Sequence, residues 1–245
     1  MTLRGRLFLL FCISLWFGGL PGCRQAEMYL DPSVRSAMDL FPVRDRQGLK
    51  MLDESFSFPP YAVTEVDRGW KVTTRWGILG LGKVASEQDY SFVLRRKDAV
   101  VGEVQCGTAA RWKEFSADNL LGTGTSLTWI LSDDTRLACV LKVRGQDKAC
   151  SLGMQPTGPK GSMTGTLLCG ADQVTITPTF RLAGSPISYT EPTGYLFSRQ
   201  DGLVAAVEVL NQGRVWLAHD LSSVSRDTLA STASVIFLYN RLQQL

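Results

Sequence analysis

The segment TLASTASVIFLY, residues 228–239, decides the fold because it contains no charged side chain. Ser222 and Ser225 each stand where a helix N-cap is expected, and the helical pattern continues to about residue 243. A helix that is apolar or small on every side is usually enclosed by the rest of the protein. Its serines and threonines argue against insertion into a membrane. We therefore expect a buried helix near the C-terminus.

Upstream of that helix, the sequence has the two-residue period of β-strands. Apolar residues alternate with polar ones in residues 70–78, 90–94 and 137–143. Turn sequences at Asp201-Gly202 and Asn211-Gln212-Gly213 separate further short strands. This spacing favours an antiparallel meander. We predict that residues 61–245 form an all-β or β-rich α+β domain, an antiparallel barrel or sandwich with a buried C-terminal helix.

Residues 194–242, GYLFSRQDGLVAAVEVLNQGRVWLAHDLSSVSRDTLASTASVIFLYNRL, combine such strands with the terminal helix. This order is similar to the tubby-like and LURP-one/scramblase families, in which a C-terminal apolar helix runs through a barrel of antiparallel strands. The resemblance implies the architecture only. The basic residues with which eukaryotic tubby proteins bind phosphoinositides have no counterparts that we can match here. The alternative is a β-sandwich with a helix packed on one side.

The N-terminus, MTLRGRLFLLFCISLWFGGLPGC, has the three parts of a secretory signal peptide. Arg4 and Arg6 precede an apolar run that is shorter than the about 20 residues of a membrane span. The run ends at Phe17, and the segment then closes with LPGC, residues 20–23, which resembles the lipobox of bacterial lipoproteins. The resemblance implies a signal peptide over residues 1–22 and lipidation of Cys23, with diacylglycerol on its sulfur and an acyl chain such as palmitate on its amine. Cleavage without a lipid is the alternative.

The residue after Cys23 and the charge balance indicate where the mature chain works. Arg24 stands where an aspartate is associated with retention in the inner membrane, so the resemblance implies a lipid anchor in the outer membrane, facing the periplasm or the cell surface. Removal of the signal peptide takes away Arg4 and Arg6, which lowers the formal charge from +3 to +1. A nearly neutral surface gives no electrostatic reason to expect nucleic acid. The expected partners are the membrane and an envelope protein, lipid or glycan.

Four cysteines remain when Cys12 and Cys23 are set aside: Cys106, Cys139, Cys150 and Cys169. An even number in an exported chain predicts two disulfides, for which three pairings are open. Burial as free thiols is the alternative.

Residues 23–60 read as a lipidated N-terminus and a tether that contains a short helix. Asp31 and Pro32 suit the N-cap and first helical position, and Val34, Met38 and Phe41 follow at helical spacing.

The stretch RWGILGLGKVA, residues 75–85, resembles the start of the glucose-fructose oxidoreductase/inositol dehydrogenase family. The resemblance implies contacts of Gly80, Gly82 and Ala85 with NAD(P) at the N-terminus of a helix. Two observations argue against it. The preceding strand alternates, whereas a parallel Rossmann strand is buried on both faces. The expected acidic ribose ligand is missing, because Gln105, Cys106 and Gly107 stand there. We therefore expect no cofactor and a glycine turn or bulge.

Other candidates for chemistry favour structural roles. His219, the only histidine, lies beside Asp220 at a predicted strand end, and Asp133-Asp134 fits a hairpin turn better than a cation site. Four tryptophans in or near the strands are more typical of a core than of a sugar site: Trp76, Trp112, Trp129 and Trp216. We identify no catalytic or metal site and predict a non-catalytic binding or scaffolding role in the bacterial cell envelope. The alternatives are an NAD(P)-dependent oxidoreductase and a lipid- or glycan-binding module.

Overall fold

Short strands joined by tight turns dominate the chain, as the two-residue period predicts. The structure is a computed structural model, and it describes residues 25–46, 54–69, 72–78, 81–109, 115–116, 128–129, 137–157 and 162–242. The strands are Met38–Pro42 (β1), Phe56–Phe58 (β2), Tyr61–Arg68 (β3), Val72–Ile78 (β4), Leu81–Arg96 (β5), Ala99–Ala109 (β6), Phe115–Ser116 (β7), Thr128–Trp129 (β8), Leu137–Val143 (β9), Cys150–Pro156 (β10), Met163–Cys169 (β11), Asp172–Thr179 (β12), Gly194–Arg199 (β13), Gly202–Glu208 (β14) and Arg214–Ala218 (β15). The helices are Pro32–Ser36 (α1) and Ser223–Leu242 (α2).

Thirteen of the strands in the described part of the chain form one antiparallel sheet, in the order β1-β15-β14-β13-β12-β11-β10-β9-β6-β5-β3-β2, with β4 paired to β5 outside this path. The ends of the sheet meet where Arg44 N donates to Ser57 O at 2.7 Å and Ser57 N donates to Arg44 O at 3.1 Å. Twelve strands thus make a nearly closed barrel. The predicted fold class is confirmed, and the architecture is the barrel rather than the sandwich.

Helix α2 fills the interior of this barrel. Every residue from 227 to 239 is buried, and the apolar side chains belong to one core with inward-facing residues from strands all around, among them Phe58, Leu141, Phe197 and Val215. The helix begins as predicted, because Ser222 Oγ accepts a hydrogen bond from Ser225 N at 3.1 Å. The chargeless sequence therefore forms the buried helix that its composition predicts.

The buried hydroxyl groups of α2 are satisfied within the helix itself. Ser231, Thr232 and Ser234 are fully buried, and each hydroxyl donates to the carbonyl oxygen four residues earlier at 2.9 Å. A buried hydroxyl without a partner costs about 1–3 kcal/mol, so these bonds let polar residues enter an apolar barrel. The side chains of Ser231, Thr232 and Ser234 are also small, which keeps the helix narrow.

The described cysteines form the two predicted disulfides, and both connect neighbouring strands. Cys106 of β6 is bonded to Cys139 of β9, and Cys150 of β10 is bonded to Cys169 of β11. The bonds span sequence separations of 33 and 19 residues. Closing loops of this length in the unfolded chain contributes roughly 3–4 kcal/mol each in the chain-entropy model.

The chain before the predicted domain boundary at residue 61 contributes strands to the barrel. Asp31 caps α1 through a 2.9 Å bond from Ser33 N, as predicted, but the helix ends at Ser36. The predicted helical spacing of Met38 and Phe41 is wrong, because both residues lie in β1. That strand forms because β15, more than a hundred residues downstream, offers it a pairing edge, which the local pattern does not reveal.

A segment that we call the N-terminal strap, residues 25–31, crosses the outer surface of β14 and β15. Its Met28 joins Met38, Ala206 and Trp216 in a second, smaller apolar core, and all four residues are buried. Trp216 is therefore a structural residue on the outside of the barrel, covered by the strap.

We predict that Gly102→Ala destabilises the protein because the strand β6 touches α2 at this point. An added Cβ would lie 2.6 Å from Ser231 Oγ, while its next neighbours lie at ordinary distances of 3.5 and 3.8 Å. Overpacking of this kind lowers the free energy of unfolding by about 1–3 kcal/mol, which urea unfolding would measure.

The Ser231→Ala change removes the clashing oxygen, so the double variant should recover most of the loss. Gly69→Ala is the control, because its Cβ would meet Asp89 at 3.4 Å or more. Equal losses in the single and double variants would contradict the contact.

Candidate functional site

The two ends of the barrel are built from different turns and loops. The upper end consists of the turns at residues 97–98, 144–149, 170–171 and 200–201 together with the start of α2. Among the described residues, the lower end includes the loops at residues 180–193 and 209–213, and β5 continues past β3 at this end to pair with β4. Between them α2 and its core occupy the interior.

A polar groove lies at the upper end, on the β11–β12 and β13–β14 turns. Its volume is about 950 Å³ including open solvent. Apart from Ala171, the lining side chains are amides, hydroxyls and charged groups: Asp172, Gln173, Thr175, Ser198, Arg199, Gln200 and Asp201. Such a lining offers hydrogen-bond donors and acceptors rather than an apolar surface. The groove therefore suits a polar ligand.

Arg199 is the cationic side chain of this groove. Its Nη2 lies 2.5 Å from Asp172 Oδ2, whereas its buried Nε has no hydrogen-bond partner in the described part of the chain. Arg199 and Asp172 also line a much smaller cavity behind the groove that reaches Thr228 and Leu229 of α2. The pair thus separates the groove from the barrel core and leaves one arginine donor unused.

Asp227 is a buried carboxylate in the first turns of α2. Tyr61 donates a hydrogen bond to its Oδ1 at 3.0 Å, and Arg96 Nη2 lies 3.3 Å from its Oδ2. Burial raises the pKa of Asp227, while the Tyr61 bond and the Arg96 charge oppose that shift. Burial and the neighbouring carboxylate raise the pKa of Tyr61 as well, so its phenol stays protonated and remains the donor.

Asp39, His219 and Arg226 form a surface cluster beside the start of α2. His219 Nε2 lies 3.3 Å from Asp39 Oδ1, and Arg226 Nη2 lies 2.8 Å from Asp39 Oδ2. Arg226 also donates to the carbonyl oxygens of Ala218 at 3.0 Å and His219 at 3.2 Å. The cluster joins β1 to the turn that follows β15. His219 thus lies at a strand end with a polar partner.

A second buried carboxylate, Glu208, holds the N-terminal strap to the barrel. Its Oε2 accepts a 3.0 Å bond from Met28 N and lies 3.7 Å from Arg214, which also pairs with Glu27 at 3.1 Å. Burial raises the pKa of Glu208, and the Met28 amide and Arg214 lower it. Loss of the Met28 amide bond or of Arg214 would leave the buried Glu208 carboxylate without compensation for its desolvation, which is strongly destabilising.

The glycine stretch forms an antiparallel hairpin. Gly82 and Ala85 lie in β5, opposite Gly77 and Thr74 of β4, and Gly80 lies outside the described residues. A strand therefore begins at Leu81, where dinucleotide binding requires the N-terminus of a helix. The hairpin does not provide that helix.

Several other residues singled out from the sequence also fall outside the described part: Cys23, Trp112, Asp133 and Asp134. The side chains of Trp76 and Trp129 belong to the same group, although their backbones lie in β4 and β8. Trp216 is 2% exposed and cannot stack on a ligand in this conformation. The described residues contain no cluster of three or more His, Cys, Asp or Glu side chains that could hold a metal ion.

Sequence reasoning missed the two buried carboxylates and Arg199. Glu208 stands alone in the apolar run VAAVEVL, and Asp227 directly precedes the chargeless part of α2. An isolated acid in an apolar segment signals a specific partner, because burial of an unpaired charge is costly. Arg199 has no comparable signal, since arginine beside a turn is common on protein surfaces.

We predict that Tyr61→Phe destabilises the protein more at neutral pH than in acid. Its hydroxyl stabilises the charged form of Asp227, so its loss raises the pKa of Asp227 further. The stability that a raised pKa supplies is complete below the ordinary value of 3.8 and is lost as the pH rises through the folded-state pKa. Losing a hydrogen bond to a charged group costs about 1.5–3 kcal/mol, which urea unfolding across a pH series would measure.

The control is Tyr189→Phe, whose side chain is exposed. A Tyr61→Phe loss of equal size at every pH would show that Asp227 is not the partner that matters.

Comparisons with protein-family models, with curated proteins and with solved structures found no match to this chain. The helices of the described residues include none that is both long and apolar enough to cross a membrane. The candidate function therefore rests on the residues and contacts above.

Proposed function

We propose that this protein is an exported bacterial lipoprotein with a non-catalytic binding or scaffolding role in the cell envelope. The observation that carries the proposal is the use of the cysteines. Cys12 lies in the signal-like segment, and four others are paired in disulfides, so Cys23 is the one cysteine of the mature chain left over. Cys23 ends the lipobox-like sequence LPGC, where lipidation requires a free thiol.

The disulfides support export. Disulfides persist in oxidising compartments, which include the bacterial periplasm, and they are rare in the cytosol. Both bonds are built into neighbouring strands of the barrel, with Cys106, Cys139 and Cys150 buried. This placement fits a structural role in an envelope protein.

A lipid on Cys23 would hold the barrel at a membrane surface. Each buried CH₂ group of an acyl chain contributes about 0.8 kcal/mol, so several chains anchor a protein far more firmly than one. Arg24 favours the outer membrane in this proposal, by the resemblance to sorted lipoproteins. The barrel itself then faces the periplasm or the cell surface.

The buried carboxylates are held by partners within the fold, which supports the proposed non-catalytic binding or scaffolding role. Asp227 is engaged by Tyr61 and Arg96, and Glu208 by Met28 and Arg214. These carboxylates connect parts of the fold to one another. The groove at the upper end, in contrast, presents its polar groups to solvent.

Glycan binding in this groove is the second candidate function. The groove offers amide, hydroxyl, carboxylate and guanidinium groups, which match the hydroxyl and amide groups of an envelope glycan. A lipid ligand is less favoured, because α2 occupies the apolar interior. The dehydrogenase alternative lacks the helix that a pyrophosphate needs at the glycine turn.

We predict that Cys23→Ala releases the protein from the membrane fraction and abolishes incorporation of a labelled palmitate analogue. Cys12→Ala is the matched control, because it changes a cysteine of the same signal segment that is not the lipid site. On a density gradient, the native chain should migrate with the outer membrane. Retention of Cys23→Ala in the membrane with its label would contradict lipidation at this residue.

We predict that soluble fragments of envelope glycans raise the melting temperature, whereas NADH and NADPH do not. A ligand at about 100 times its Kd adds about 2.7 kcal/mol of stability, enough for a thermal-shift assay. Arg199→Gln should reduce the rise in melting temperature that the glycans cause. Arg144→Gln should not, because Arg144 is exposed at the upper end but lies outside the groove. Stabilisation by NADH would instead favour the oxidoreductase alternative.

A further inference from the structure

The N-terminal strap fixes the position from which the chain reaches Cys23. Asn211 Nδ2 donates to Ala26 O at 2.8 Å, and Ala183 N donates to Glu27 O at 2.8 Å. Tyr29 N donates to Arg181 O at 2.9 Å, and the Arg181 guanidinium lies 3.9 Å from the centre of the Tyr29 ring. These contacts hold the start of the strap against the loops of the lower end.

Cys23 cannot lie far from this end. It precedes Ala26 by three residues, and an extended chain spans at most about 3.6 Å per residue, so the two Cα atoms are within about 11 Å of each other. Acyl chains on Cys23 must enter the bilayer at that point. If the protein is anchored as proposed, the lower end of the barrel therefore rests close to the lipid headgroups.

The loop at residues 183–192 is part of this lower end and exposes two large apolar side chains. Ile187 is 74% exposed and Tyr189 is 48% exposed, and Ile187 is the most exposed large hydrophobic residue among those that the structure describes. The loop has a defined shape, because Ile187 N donates to Ser185 Oγ at 3.2 Å and Tyr189 N donates to Phe180 O at 2.7 Å. The two side chains are thus held out from the barrel.

The chemistry of this surface fits a bilayer interface. Tyrosine is enriched at the level of the headgroups, where its ring is apolar and its hydroxyl is hydrated. Arg181 is exposed at this end and Arg24 directly precedes the strap in the sequence, and cationic side chains attract anionic headgroups. Glu27, in contrast, is paired with Arg214. Glu191, also exposed, is the acidic residue of the loop itself.

We propose that the loop at residues 183–192 is a second membrane contact, which inserts Ile187 and Tyr189 into the headgroup region of the bilayer that holds the lipidated Cys23. The inference rests on the proposed lipid anchor. The short reach from the strap to Cys23 favours a lipid surface over a protein partner, because it places this end of the barrel at the bilayer. The polar groove of the upper end then faces away from the membrane.

The test uses the full lipidated chain in vesicles of phosphatidylethanolamine and phosphatidylglycerol that contain a nitroxide-labelled lipid. Ile187→Cys and Asp201→Cys each receive an environment-sensitive fluorophore on the new thiol. Asp201 is the control because it is exposed on the β13–β14 turn at the upper end. The described native cysteines are all in disulfides, so labelling is specific under oxidising conditions.

For the label at position 187 we expect a blue shift of the emission and quenching by the nitroxide-labelled lipid. For the label at position 201 we expect neither. Adding Tyr189→Ser to the labelled Ile187→Cys protein should reduce the quenching. Adding Leu168→Ser, which changes an exposed apolar residue of β11 outside the loop, should not.

The outcomes separate the two proposals. If the protein sediments with the vesicles but the label at position 187 is not quenched, the loop contact is wrong and the anchor stands, and a protein partner becomes the better explanation of Ile187 and Tyr189. Equal quenching at positions 187 and 201 would also overturn the inference, because it requires the lower end to face the bilayer. Failure to sediment with vesicles would overturn the anchor and, with it, the loop contact.

Discussion

Enclosure of α2 is the constraint on which the rest of the structure depends. The helix is apolar or small on every side, so strands must surround it completely, and the barrel must nearly close. Its hydroxyl groups bond to its own carbonyl oxygens, which spares the barrel from supplying buried polar partners. The small side chain of Ser231 and the absence of a Cβ at Gly102 let β6 approach the helix. The barrel and its central helix therefore form one packing unit.

Two buried carboxylates connect this unit to parts of the chain that are remote in sequence. Asp227 binds Tyr61 across 166 residues, and Glu208 binds the amide of Met28 across 180 residues. Each carboxylate remains in an apolar environment only because its partners are in place. Asp227 thereby fixes the upper end of α2, and Glu208 fixes the strap at the outer surface. The same strap fixes the end of the barrel from which the chain continues towards Cys23, so the position of the proposed lipid anchor depends on the contacts of Glu208.

Local patterns predicted what local physics controls. The helix at residues 228–239, the cap at Asp31 and the turn at Asp201-Gly202 all depend on neighbours in sequence, and all are present. The cysteine count predicted two disulfides, but the pairing needed the register that places Cys106 opposite Cys139. Strand β1 and its pairing with β15 could not be predicted, because an edge more than a hundred residues away supplies the partner. The Arg199 groove was missed for a similar reason, since two separate turns build it.

Hydrogen exchange of the backbone amides in α2 tests the central role of that helix most directly. A helix enclosed on all sides exchanges only when the whole barrel opens, so amides of residues 229–239 should exchange with the free energy of global unfolding. Amides of α1, which lies on the surface with no buried residue, should exchange much faster. Exchange in α2 as fast as in α1, under conditions where the strands remain protected, would show that the helix is not enclosed and would contradict this account.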